Sequence, residues 1–240
     1  MKCLEPTIKT FLKTALEPVG ETMYIWGGGW NEAGTGAGCD ALCARKNPEW
    51  KNFFETRTPE YNFRDYMFRR GCGLDCSGYV GWVMYSFFMR TRGKARQGGY
   101  VFKAGEQAQK FAQMELGTYT PADKVTDYKA GDIMSSPEHV YIVIGECPDG
   151  SVVLLHSSPP GVQICGTYSK SGIRFSHAAY LARTYMSEHF GEWYNKFGCR
   201  IKDTSYLTEY AQFRRSPGII SDPEGLTESP AKTVLNEIFK

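Results

Sequence analysis

The sequence predicts an α+β domain in which helices come first and an antiparallel meander second. Three observations carry that reading. Apolar residues fall at helical spacing near the N-terminus, and again just after a glycine- and cysteine-rich turn at 71–78. Four short β-branched runs, separated by turn residues, fill the stretch from 130 to 166. A chain of 240 residues, 42% hydrophobic and 14% aromatic, can bury a sizeable core.

Residues 5–18 read as an amphipathic helix. Ile8, Phe11, Leu12, Ala15 and Leu16 form one stripe. Pro6 suits the first turn, and Pro18 with Gly20 ends it. "YIWGGGW" (24–30) is a short strand or turn closed by three glycines. Residues 30–70 start with the alternating Gly34, Gly36 and Gly38, read as flexible, and continue with Trp50, Phe53, Phe54, Tyr61, Phe63, Tyr66 and Phe68 among charges. No period emerges, so this is read as a packed, irregular insertion.

Residues 76–90 give the second amphipathic helix, through Tyr79, Val80, Val83, Met84, Phe87 and Phe88. Gly78 and Gly81 inside it each cost about 1 kcal/mol in helix propensity, which implies that something packs very close. A shorter helix fits 104–115. "AGDIMSS", "HVYIVIGE", "SVVLLHSS" and "GVQICG" are the strands, with turns at "PDG" (148–150) and "PPG" (159–161). Residues 177–197 return to helix. Residues 201–240 read as a loop-rich extension with a last helix from Ala231, so residues 1–200 form the main domain.

The net charge of +2 is too small a bias to argue for a nucleic-acid partner, and no apolar run approaches a membrane span. The start "MKCLEPTIKTF" has no continuous apolar segment, so no signal peptide is expected. That leaves two expectations: a secreted or wall-associated protein whose leader precedes this sequence, or a cytoplasmic recycling role. Eight cysteines admit disulfides or free thiols, and the spacing of Cys39, Cys43, Cys72 and Cys76 also admits a zinc site.

Cys76 offers chemistry by position. It opens a helix, where free N–H groups and the dipole favour a thiolate and could later hold an oxyanion. Asp75 is placed to cap that helix. A nucleophilic thiol also needs a base. Of the four histidines, His177 and His189 lie in the late helix and read as surface or capping residues. His139 starts one strand and His156 ends the next, so a hairpin would set their imidazoles side by side, as base and orienter.

"LDCSGYV", "GDIM…EHVYIVIG" and "VVLLHSSPPGVQI", preceded by "YIWGGG", resemble four ordered blocks of the NlpC family of cell-wall cysteine peptidases. The resemblance covers roughly residues 5–200 apart from the insertion. It implies a papain-like α+β fold and cleavage of the γ-D-glutamyl–diamino acid bond in peptidoglycan stem peptides, without metal or organic cofactor. By position it makes Cys76 the nucleophile, His139 the base and His156 its orienter. Tyr24 would contribute to the oxyanion hole. Asp75 and Ser77 would read the substrate's free amine, and Trp26 would contact substrate. The stretch from Trp30 to Leu74 is longer than the family's, and no wall-binding module is recognisable. An amidase or acyltransferase on the same scaffold, an inactive wall-binding module and a zinc-stapled interaction protein are the alternatives. The sequence leaves the oligomeric state open.

Overall fold

A computed structural model describes residues 3–31 and 39–240. The glycines at 34, 36 and 38 lie outside the described residues. The elements run in chain order as α1 (Ile8–Leu16), β1 (Met23–Tyr24), α2 (Pro48–Glu55), β2 (Gly73–Leu74), α3 (Cys76–Arg92), α4 (Gln107–Gln113), β3 (Gly117–Thr120), β4 (Ile133–Ser135), β5 (Val140–Glu146), β6 (Val152–Ser158), β7 (Gly161–Thr167), α5 (His177–His189), α6 (Gly191–Phe197), β8 (Ile201–Lys202), α7 (Ser205–Thr208), β9 (Ala211–Arg215) and α8 (Ala231–Ile238). The architecture is mixed α+β around one nine-stranded sheet of order β2-β1-β7-β6-β5-β4-β9-β3, with β8 beside β7.

The expected meander is present. Strands β4 to β7 pair antiparallel in sequence order. The parallel pairs are β1 with β2 and β7 with β8. Helix α3 packs across β5 and β6. Its Tyr79, Val80, Trp82, Val83, Phe87 and Phe88 are buried in the main core with Phe11, Leu12, Ile142 and Leu155.

Several sequence expectations need correction. Thr7 caps α1 by accepting from the Thr10 amide, so Pro6 lies ahead of the first turn. The helix expected over 104–115 is a 3-10 turn followed by the short α4. The helix expected over 177–197 breaks at Phe190 into α5 and α6. The loop-rich reading of 201–240 missed β9, which joins the sheet between β4 and β3. Helix α8 packs against α1 and β5.

The insertion is half core and half rim. Trp50 is buried and meets Trp82 of α3 edge-on, with ring centroids 5.7 Å apart. Phe54 stacks on Trp193 of α6 at 5.5 Å. Arg57 sits over the rings of Phe53 and Tyr66.

Candidate active site

The glycines before and within the start of α3 let two backbones touch. A Cβ at Gly78 would come within 1.9 Å of the Gly28 carbonyl oxygen, and one at Gly28 within 2.4 Å of the Gly73 oxygen. Gly81 is similarly pressed by Val101, at 2.4 Å. This close approach, with β1 lying parallel to β2, brings the Tyr24 block against the start of α3. Ser157 at the end of β6 donates to the Leu74 carbonyl at 2.7 Å and ties the turn to the histidine hairpin.

Asp75 caps α3, as its position predicted. Its Oδ1 accepts from the Gly78 amide at 2.6 Å and from the Ser77 hydroxyl at 2.9 Å. Its Oδ2 accepts from the Gly27 amide at 3.1 Å. The Trp30 indole donates to Ser77 Oγ at 3.1 Å. Asp75 and Ser77 are both buried, and their polar atoms are largely occupied within the turn. Burial raises the Asp75 carboxyl to about 6, against the pull of these donors.

The two histidines meet. A tight turn at Ser136–His139 joins β4 to β5, with the Ser136 amide donating to the His139 carbonyl at 2.8 Å. His139 Nε2 lies 2.8 Å from His156 Nδ1. The far nitrogen of His156, Nε2, lies 3.2 Å from Cys165 Sγ on β7. Burial, and then the neighbouring Lys202 ammonium, lower His139 to about 3 and push His156 the same way. His177 instead heads α5, where its amide donates to Asp149, and His189 stacks on Phe239 with centroids 4.2 Å apart.

Cys76 does not have the depressed pKa expected of a helix-start thiol. Burial raises it to about 12, and the Asp75 charge adds to the rise. The amides of Val140, Ser77 and Cys76 itself pull the other way and lose. Desolvation of a thiolate outweighs the half-charge of the helix end when little water reaches the sulfur. Among the described residues no hydrogen bond joins Cys76 to His139. The substrate-free pair is therefore neutral thiol and neutral imidazole.

Two adjoining hollows form one groove. The first, of about 360 Å³, is lined by Tyr24, Trp26, Trp30, Phe68, Asp75, Cys76 and Ser77, with Lys103, Pro137 and Glu138 opposite. The second, of about 540 Å³, is lined by His139, Ser158, Tyr206 and Tyr210, and again by Tyr24, Pro137 and Glu138. All seven residues singled out from the sequence except His156 line this groove. His156 is fully buried behind His139. Tyr24 is held by the insertion: the Tyr61 hydroxyl donates to its carbonyl at 2.6 Å and Phe63 meets its ring edge-on. Burial, with the Asp75 carboxylate adding to it, raises the Tyr24 phenol and keeps it protonated.

Sequence reasoning missed Tyr206, Lys202 and Cys165, and it named Phe68 only among the aromatics of the insertion. Phe68 has φ +58°, is exposed and donates its amide to the Trp26 carbonyl at 2.8 Å. A bulky residue in the left-handed region is strained, and such strain clusters at functional sites. Larger hollows lie elsewhere. One of about 690 Å³ between α5 and α8 contains Cys147, but that thiol opens no helix and no imidazole bonds to it. Among the described residues no three metal-ligating side chains gather, and all eight cysteines are free thiols. Among the described residues no helix is long and apolar enough to cross a membrane. No family model, no curated protein and no solved structure matches the chain.

Proposed function

We propose that this chain is a papain-like cysteine peptidase of NlpC type that hydrolyses the γ-D-glutamyl–diamino acid bond of peptidoglycan stem peptides. The observation that carries the proposal is the His139–His156 pair, 2.8 Å apart, facing the groove into which the helix-start Cys76 opens. The nucleophile at the N-terminus of α3, with that helix laid across β5 and β6, supports the papain-like reading.

The mechanism follows from the neutral resting pair. His156 occupies Nε2 of His139, so Nδ1 is the nitrogen left for the thiol. As the Cys76 sulfur attacks the γ-carbonyl carbon, His139 takes the thiol proton; no preformed thiolate is required. The C=O electron pair moves to oxygen, where the Cys76 amide and the Tyr24 hydroxyl donate to it. The C–N bond then breaks, and His139 returns the proton to the leaving amine. Water attacks the thioester, its proton passes to His139, and the S–C bond breaks to restore the thiol. The neutral imidazole is a weak base in this dry setting, so substrate must supply part of the driving force by filling the groove and stabilising charge.

The groove end at Asp75 and Ser77 suits an ammonium. An ionised carboxylate has about four acceptor positions, and three are occupied by the turn. The substrate's free L-alanine amine would take the remaining one and hold Asp75 ionised. The preferred substrates are thus stem peptides already freed from the glycan. Incubation of L-Ala-γ-D-Glu-diaminopimelate with the protein, followed by product masses, tests the proposal. Release of free diaminopimelate supports it. Transfer to an added amine without hydrolysis points instead to the acyltransferase reading, and an unchanged peptide to the binding module or to an amidase, whose sugar–alanine bond this peptide lacks.

A further inference from the structure

We infer that Cys165 is a positioning residue whose sulfur accepts the His156 Nε2–H and so fixes which nitrogens of both imidazoles carry protons. The inference rests on the proposed roles of Cys76 and His139, and it goes beyond them. Two imidazole rings and a thiol form one line: His139 Nε2 to His156 Nδ1 at 2.8 Å, then His156 Nε2 to Cys165 Sγ at 3.2 Å. His156 and Cys165 are each fully buried, so water cannot complete either end. Their meeting follows from the hairpin. Leu154 is the cross-strand partner of Cys165, and His156 lies two residues on from Leu154, on the same face of the sheet.

Proton bookkeeping then decides the chemistry. A neutral imidazole donates from one nitrogen and accepts at the other. For His139 to act as base its Nδ1 must be bare, so its Nε2–H must donate to His156 Nδ1. His156 then carries its proton on Nε2, and that N–H needs an acceptor. Cys165 Sγ is the atom there. In the opposite polarity the Cys165 S–H donates to Nε2, His156 donates from Nδ1, and His139 holds its proton on Nδ1, where it cannot take one from Cys76. An imidazole N–H is the better donor and S–H a weak one, which favours the productive direction. The other charged or titratable groups around the line are Lys202 of β8, Arg200 and Cys199 just before it, and Tyr206 of α7. Burial keeps Cys165 a thiol. The rival reading is that Cys165 merely fills space as a small buried hydrophobe.

Histidine-labelled ¹⁵N NMR of the full chain, together with the rate at which iodoacetamide alkylates Cys76, tests this. In the wild type both His139 and His156 should be protonated on Nε2. In Cys165→Ala and Cys165→Val, His156 should lose its single tautomer, and Cys76 alkylation should slow by about three- to tenfold, the equivalent of one hydrogen bond. Cys165→Ser, which keeps an acceptor, should restore the tautomer and recover the rate to within about twofold of wild type. A wild-type His156 protonated on Nδ1 overturns the inference, and that spectrum decides even where a variant fails to fold. Unchanged tautomers and rates in the Ala and Val variants, or a Ser variant as impaired as Ala, overturn it as well. No readout uses a peptide substrate, so a failure of the proposed peptidase activity would appear separately.

Discussion

Acid should destabilise this protein through His139, and the size of the effect can be worked out. The unfolded imidazole titrates at 6.5, whereas burial and the Lys202 ammonium lower the folded group to about 3. A folded pKa below the unfolded one means that the unfolded chain binds the proton more readily. Stability is then full above about 6.5, and is lost as pH falls from there towards 3. Between about pH 7 and pH 5 the linkage integral gives a loss of about 2 kcal/mol from His139 alone. Asp75 works in the opposite sense: its carboxyl is raised to about 6, so protonating it as pH falls favours the folded state. The wild-type curve is therefore shallower than His139 alone would make it. Comparing wild type with His139→Gln removes that complication, because Asp75 and His156 are common to both. Urea unfolding at about pH 7, 6 and 5 should show the wild type losing about 2 kcal/mol more than the variant. Parallel curves would refute the claim that His139 is a neutral base in the folded protein.

Three further outcomes follow from the groove and its walls. N-acetylation of the stem tripeptide should lower kcat/KM by about ten- to a hundredfold, the cost of a lost charged hydrogen bond, and equal values would mean that Asp75 only caps α3. Trp50→Ala should cost about 3–5 kcal/mol in denaturant unfolding, because the ring is buried against Trp82; a loss below about 1 kcal/mol would mean that the insertion is not part of the core. Phe68→Gly should keep or raise the Tm by relieving the left-handed backbone, yet lower kcat/KM on the tripeptide; unchanged kinetics would remove Phe68 from the groove wall.

The legible parts of the fold are those whose burial is one-sided or continuous. The stripe of α1 and the apolar runs of β4 to β7 announce themselves because each is apolar on the face that packs; α3 was legible as a helix, but it is buried on nearly every face and not along the one amphipathic stripe expected. Strand β9 does not. Its Gln212 and Arg214 are polar, and they bond to the buried Asp132 at 3.0 and 2.8 Å, so hydropathy reads them as surface. The two-residue strands β1, β2 and β8 are too short to carry any period. At the site, Cys76, His139 and His156 were legible because a helix start and a hairpin fix where they must lie. The state of the thiol was not. A helix dipole can be read from sequence, but the water excluded around a sulfur is a property of the packed whole. Cys165 was hidden for another reason: its strand was foreseen, yet its contact with His156 depends on which β7 residue faces which β6 residue, and that register is set by the turn at 159–161.

The most direct test of the central claim is to catch the acyl group on the sulfur. The full-length protein is mixed with L-Ala-γ-D-Glu-diaminopimelate, quenched in acid during turnover, digested and mapped by mass spectrometry. The account predicts an alanylglutamyl thioester on the peptide containing Cys76, on none of the other seven cysteines, and absent from Cys76→Ala, which also releases no diaminopimelate. A thioester on any other cysteine, or diaminopimelate released by Cys76→Ala at the wild-type rate, would contradict it.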